Sequence, residues 1–125
     1  MSRVLVVDDD PNLRALVSIR LQREGHRVVG ADSAAEALAF VAQRGAPDVA
    51  VLDVTMPGMT GLELLPAMRA LEGCADLPAI FLSGRVDHQD VEAGRALDAT
   101  YLTKPFSAVA LCKAVERLAP VEAGW

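Results

Sequence analysis

An α/β fold, a five-stranded parallel sheet with helices on both faces, is what this sequence of 125 residues predicts. Three observations lead there. Five short apolar runs alternate with stretches whose apolar residues recur at helical spacing, and strands separated by helices pair in parallel through right-handed crossovers. Two of the runs, Arg3-Val-Leu-Val-Val7 and Asp48-Val-Ala-Val-Leu-Asp53, are apolar on both faces, as strands inside a parallel sheet are, and they are expected to be neighbours. Four of the runs end on polar side chains: Asp8 and Asp9 after the first, Asp53 on the third, Ser83 on the fourth and Lys104 after the fifth. Ligands of open α/β sheets collect beyond the carboxyl ends of the strands, so this convergence is the functional signal.

Each element has a local reason. After the first strand, Asp10 is placed to cap a helix that starts at Pro11, and Leu13, Leu16, Val17 and Leu21 supply a one-sided apolar stripe until Gly25 ends it. Arg27-Val-Val-Gly-Ala31 is the second strand. Ser33-Ala-Ala-Glu36 is a capping box for a helix with Ala37, Leu38 and Val41 inward, closed by Gly45-Ala-Pro47. The Asp53 strand turns at Pro57-Gly58 into a helix over Gly61 to Leu71, in which Pro66 must lie early or cause a kink. Ala79-Ile-Phe-Leu-Ser83 is the fourth strand, and Val86 to Leu97 reads as a polar, weakly amphipathic helix. Ala99-Thr-Tyr-Leu-Thr103 is the fifth strand. Ser107 caps a last helix through Leu118, with Val109, Ala110, Cys112, Val115 and Leu118 as its apolar positions. Residues 1–119 are expected to form one domain, with 120–125 a tail or the start of a linker.

Composition narrows the class. Hydrophobic residues make up 52% of the chain, enough for a single core and against disorder. No run approaches the roughly 18 apolar residues of a membrane span, and no charged-then-apolar leader opens the sequence, so a cytoplasmic protein without a membrane partner is expected. A net charge of −5 disfavours direct nucleic-acid binding, which needs a clustered basic face. Cys74 and Cys112 fit no metal spacing and are expected to be buried or half-buried thiols.

The grouped side chains limit the chemistry. Carboxylates brought roughly 4 Å apart repel by about 4 kcal/mol per pair at an effective dielectric near 20, and a divalent cation relieves that strain. Oxygen ligands with no His or Cys nearby select a hard ion, and few protein ligands suit Mg2+ better than Ca2+. A carboxylate beside such an ion, faced by a Lys and a hydroxyl, has the parts for phosphoryl transfer, so Asp53 would become an aspartyl phosphate.

Val4-Leu-Val-Val-Asp-Asp-Asp-Pro11, Leu52-Asp-Val-Thr-Met-Pro-Gly-Met-Thr-Gly61, Phe81-Leu-Ser-Gly84 and Tyr101-Leu-Thr-Lys-Pro-Phe106 together resemble the receiver domain of two-component response regulators, including its single-domain chemotaxis type. The likeness runs from residue 3 to about 118, with four motifs in order. It implies a flavodoxin-like (βα)5 fold with strand order 2-1-3-4-5, the order known for the chemotaxis member. It implies that Asp53 accepts a phosphoryl group from a sensor histidine kinase or phosphotransferase in a phosphorelay. Asp8, Asp9, Asp53 and the Thr55 carbonyl would hold Mg2+ or Mn2+, Lys104 would bind the phosphoryl group, and Ser83 with Tyr101 would form a switch pair. Such a protein is a signalling receiver, catalysing only its own phosphoryl transfer and autodephosphorylation.

Phosphorylation adds roughly −1.5 to −2 charge and strong acceptor oxygens, to which Ser83 and Lys104 can donate. Drawing the loop after the fourth strand toward Asp53 leaves room for the Tyr101 ring to turn inward. The Val86–Leu97 helix, the fifth strand and the last helix would then present an altered face to a protein output partner, or to a second copy in a phosphorylation-dependent homodimer. Thr55 and Arg85, two residues after the acceptor and after Ser83, are the candidates for tuning phosphoryl lifetime. Thr60 stands where the family often has an acid, and Leu97-Asp-Ala-Thr-Tyr101 replaces its usual Gly-Ala and acidic residue.

Plainer readings stand beside these. An acidic triplet can be a solvated strand end, and Asp10 is read only as the cap. Tyr101 can be a half-buried strand aromatic, His88 a solvated helix residue, and Met56 and Met59 loop packing. The principal alternative function is an aspartyl-phosphate phosphatase of haloacid dehalogenase type, but that family wants an acid two residues after its nucleophile, where this chain has Thr55. An FMN-binding flavodoxin would need a Ser/Thr/Gly-rich phosphate loop after the first strand, where an acidic triplet would repel phosphate. A receiver-shaped module that works without phosphate would have no use for the acceptor, the acids and the Lys together.

Overall fold

The computed structural model describes residues 2–84, 92, 93 and 95–119. Five strands, β1 (Arg3–Val7), β2 (Arg27–Ala31), β3 (Val49–Asp53), β4 (Ala79–Ser83) and β5 (Thr100–Thr103), form one parallel sheet in the order β2-β1-β3-β4-β5. The helices among the described residues are α1 (Pro11–Arg23), α2 (Ala34–Arg44), α3 (Gly61–Arg69) and the last helix, α4 (Ala108–Leu118). The two acidic strands are paired neighbours, Val4 to Val7 of β1 lying in register with Val49 to Leu52 of β3.

Side-chain alternation along the central strands divides the core in two. Leu5, Val7, Ala50, Leu52 and Phe81 face α2 and α3, where Ala37, Val41, Leu64, Leu65 and Met68 cover them. Val4, Val6, Val49, Val51, Ile80 and Leu82 face α1 and α4, where Val17, Leu21, Leu111, Cys112 and Val115 cover them. Both cysteines are free and buried. Below the sheet, Asp48 accepts from the Arg3 amide at 2.7 Å and from its guanidinium at 3.1 and 3.0 Å, fixing where β3 starts relative to β1.

Caps mark most of the helix starts. Asp10 accepts from the amides of Asn12 and Leu13, with Pro11 in the first helical position. Ser33 caps α2 by accepting from the Glu36 amide, while the Glu36 carboxylate reaches the amide of Asp32, one residue outside the cap. Thr60 and Glu63 form a full capping box on α3, and Pro66 lies within that nine-residue helix. Gly25 and Gly45 leave α1 and α2 at φ values of +93° and +90°, a region side-chain-bearing residues avoid.

Several sequence expectations are corrected. Leu16 is 67% exposed, because the stripe that α1 buries is narrower, limited to Val17 and Leu21 with Leu13 half-buried. On α4, Val109 is 50% exposed and Ala110 is also outward; Leu111 and Ala114 instead join Cys112 and Val115 on the seam. Met56 is buried in the core but Met59 is exposed. β5 starts at Thr100, and α3 ends at Arg69. The expected Val86–Leu97 helix, with His88, and the 120–125 tail lie largely or wholly outside the described residues; Glu92, Ala93, Arg95 and Ala96 are helical.

Candidate functional site

Strand ends build the site. Asp8 and Asp53 follow the alternation of Val6 and Val51, and Lys104 that of Leu102, so all three leave the sheet toward the side covered by α1 and α4. One carboxylate oxygen from each of Asp8, Asp9 and Asp53 lies within 4.8 Å of the others. The Lys104 ammonium stands 3.4 Å from Asp53 Oδ1 and 3.8 Å from Asp8 Oδ2. Asp8 and Asp53 are buried, and Asp9 is exposed at the mouth.

Asp8 is tied down on three sides. Its amide donates to the Ala31 carbonyl at 3.1 Å, its Oδ1 accepts from the Asp10 amide at 2.9 Å, and its carbonyl accepts from Arg14 at 2.8 Å. Oδ2 remains as a buried oxygen without a hydrogen bond, facing the cluster. Asp53 Oδ1 accepts from the Thr55 amide at 3.2 Å as well as meeting Lys104. Burial pushes the Asp53 carboxyl from its ordinary 3.8 up to about 6, the Asp8 charge adds to the rise, and Lys104 and the Thr55 amide oppose it.

A divalent cation fits these residues. The donors are all oxygens, they crowd mutually repelling charges around one point, and the orphaned Asp8 oxygen is the kind of buried acceptor a cation satisfies. Asp8, Asp9 and Asp53 could hold it.

The Asp53 strand is also packed from behind. Gly61, the first residue of α3, lies so near that a Cβ there would collide with the Asp53 carbonyl oxygen, and its amide donates to the Val54 carbonyl at 3.1 Å. The helix start therefore backs directly against the turn after Asp53. The sheet order, the strand-end cluster and the Lys are the arrangement that the motifs imply, and a family model for the response regulator receiver domain matches residues 4–116. The chain belongs to the response regulator receiver family.

Relatives agree with that assignment. The receiver is 40% identical over 115 residues to an uncharacterized 14.6 kDa protein of Leptolyngbya boryana, a match spanning 91% of this chain and 87% of that protein. It is 39% identical to the transcriptional regulatory protein KdpE of Mycobacterium tuberculosis, over 85% of this chain and 46% of KdpE. The chain thus corresponds to under half of several transcriptional regulators it resembles. Among solved structures, the chemotaxis protein CheY4 of Vibrio cholerae is 37% identical, with a TM-score of 0.87 over 94% of this chain and 98% of that one.

The remaining sequence candidates take distinct places in the receiver. Ser83 is buried at the end of β4, its carbonyl accepting from the Lys104 amide. It alternates with Leu82, so it lies on the same side as Phe81 and as Tyr101, which pairs with Phe81 across β4 and β5. Ser83 and Tyr101 therefore share one side of the sheet, and Tyr101 is half-buried. Thr55 is exposed beside the site. Arg85 lies outside the described residues.

Sequence reading misses two contributors. Arg14 gives no local signal of its reach back to Asp8. Thr60-Gly-Leu-Glu63 carries the same cap signature as Ser33-Ala-Ala-Glu36, and only the second is picked out as one.

Proposed function

We propose that this receiver takes a phosphoryl group from a histidine kinase or phosphotransferase onto Asp53, and passes the phosphorylated state to a protein partner. The observation that carries this is the close set of Asp8, Asp9 and Asp53 oxygens with the Lys104 ammonium 3.4 Å from the acceptor. One Asp53 oxygen attacks phosphorus, the phosphorus–nitrogen bond of the donor breaks, and the imidazole leaves with the electron pair. No general base is needed once Asp53 is ionised. Lys104 helps keep it ionised and would bind the transferred group, and Ser83, at the end of the neighbouring strand, would donate its hydroxyl once the loop after β4 is drawn toward Asp53. Asp8, Asp9, Asp53 and the Thr55 carbonyl would hold Mg2+ or Mn2+, which would neutralise charge on the transferred oxygens.

The donor must bring its imidazole to the mouth beside Lys104. An apolar groove of about 320 Å³ opens there, lined by Leu13, Leu16, Val17, Phe106 and Leu111 with Arg20 at its edge. It suits an amphipathic helix of a phosphotransfer protein. Output is proposed for the face formed by β5, α4 and the segment before β5, with Ser83 and Tyr101 as the switch and a phosphorylation-dependent homodimer as one form of it. Thr55 and Arg85 are proposed to set how long the phosphoryl group lasts. Residues 1–119 are taken as the domain, and the cytoplasm as its place of work; no described helix is long and apolar enough to cross a membrane.

Incubation with Mg2+ and acetyl phosphate, followed by intact mass spectrometry, tests the reading. One labile phosphoryl group should add to the wild type and none to Asp53→Asn. An unmodified wild type, or a variant labelled equally, rejects Asp53 as acceptor. Turnover of simple phosphate esters would favour the phosphatase alternative. Beryllofluoride should shift the resonances of Ser83 and Tyr101 if they switch.

A further inference from the structure

The acids at the end of β1 need a fixed peptide to point from, and the contact that fixes it comes from α1. Arg14, half-buried and the fourth residue of that helix, donates from Nη1 to the Asp8 carbonyl at 2.8 Å. Its stem lies across Gly30 of the edge strand β2. A Cβ at position 30 would come 3.1 Å from Arg14 Cδ and 3.3 Å from Cγ, so the bare glycine leaves the channel along which the side chain runs. Glycine within a strand sacrifices packing and backbone entropy, and commonly marks a site that something else must approach closely.

The choice of acceptor matters. A guanidinium beside carboxylates ordinarily forks onto one of them and neutralises it. Arg14 instead takes a carbonyl, leaving Asp8 Oδ2 facing the cluster without a hydrogen bond. The bonded carbonyl belongs to the peptide joining Asp8 to Asp9. Turning that peptide would re-aim both residues.

We propose that Arg14, guided by Gly30, is a positioning residue for the metal site: it locks the Asp8–Asp9 peptide so that both carboxylates converge on one cation. This rests on the phospho-receiver reading above. Groups behind metal ligands act through orientation, and their removal typically weakens metal binding by about 10- to 100-fold.

Mn2+ affinity, read from the loss of the free-ion electron paramagnetic resonance signal on the full chain, tests it. Arg14→Ala should bind Mn2+ about tenfold more weakly than wild type. Gly30→Ala should also bind more weakly, because the added methyl crowds the Arg14 stem off its path to the Asp8 carbonyl. In the Arg14→Ala background the Gly30 substitution should change affinity no further, because the side chain it displaces is gone. Wild-type affinity in Arg14→Ala, or an undiminished Gly30→Ala effect in the double variant, overturns the clamp while leaving the receiver reading intact. A wild type that binds no Mn2+ overturns the metal site and this inference together.

Discussion

Asp53, the proposed nucleophile, is kept in a place that disfavours its charge. Its carboxyl is raised from 3.8 to about 6 by burial and by Asp8, with Lys104 pulling the other way. In the folded state it holds a proton that the unfolded chain has already released. Its contribution to stability is therefore present below 3.8 and lost as the pH rises through about 6. Without divalent cations, Asp53→Asn should be more stable than wild type at neutral pH, by on the order of 2 kcal/mol, with the gap closing near about pH 4. Urea unfolding of both proteins across that range checks this. A pH-independent gap would mean that Asp53 is not the strained group. Mg2+ should stabilise the wild type more than the variant, because the ion offsets the cost that burial imposes on the Asp53 charge while Asp8 and Asp9 remain in both.

Helix α1 shows how an element can have two apolar faces. Val17 and Leu21 enter the core, while Leu16 and Ile19 remain 67% and 48% exposed. The 3.6-residue period marks Leu16 as inward from sequence, since it lies only one position from Val17. The structure turns it toward the groove beside Phe106 and Ala108 instead. Leu16→Ser should change stability by no more than about 0.5 kcal/mol, as surface substitutions do. Its transfer rate from a phosphorylated histidine phosphotransferase should fall, while labelling by acetyl phosphate stays at the wild-type rate. Equal slowing of both reactions would place the effect in the site rather than in docking. The same shift of period explains α4, where Val109 reads as core and Leu111 takes that role. A helix's apolar positions are legible in sequence, but which of two adjacent ones is buried depends on how the helix is rotated against the sheet.

At the scale of the molecule, the alternation of strands and helices and the strand-end acids were legible because each rests on a run of adjacent residues. Strand order was not. It follows from pairings between distant segments, and the sequence led to it only through the family motifs. The base of the sheet is the same case: Arg3 and Asp48 are 45 positions apart, and neither carries a local sign of the other. The Arg14 to Gly30 crossing likewise joins separate elements. Asp48→Ala should cost about 2 kcal/mol, because it removes a buried carboxylate that accepts three hydrogen bonds from Arg3. Urea unfolding measures this, and phosphorylation of the folded fraction by acetyl phosphate should be unaffected. A loss well under about 1 kcal/mol would show that the pair is replaceable by water.

The segment Asp48 to Asp53 has an acid at each end, alike in residue type and both buried. At the first, three donors from one arginine sit at 2.7 to 3.1 Å and occupy the oxygens' lone pairs. At the second, an amide at 3.2 Å and an ammonium at 3.4 Å hold on more loosely. A chain with 17 acidic side chains can thus be chemically one-ended. What would single out Asp53 as the reactive acid is how little its neighbours have already claimed.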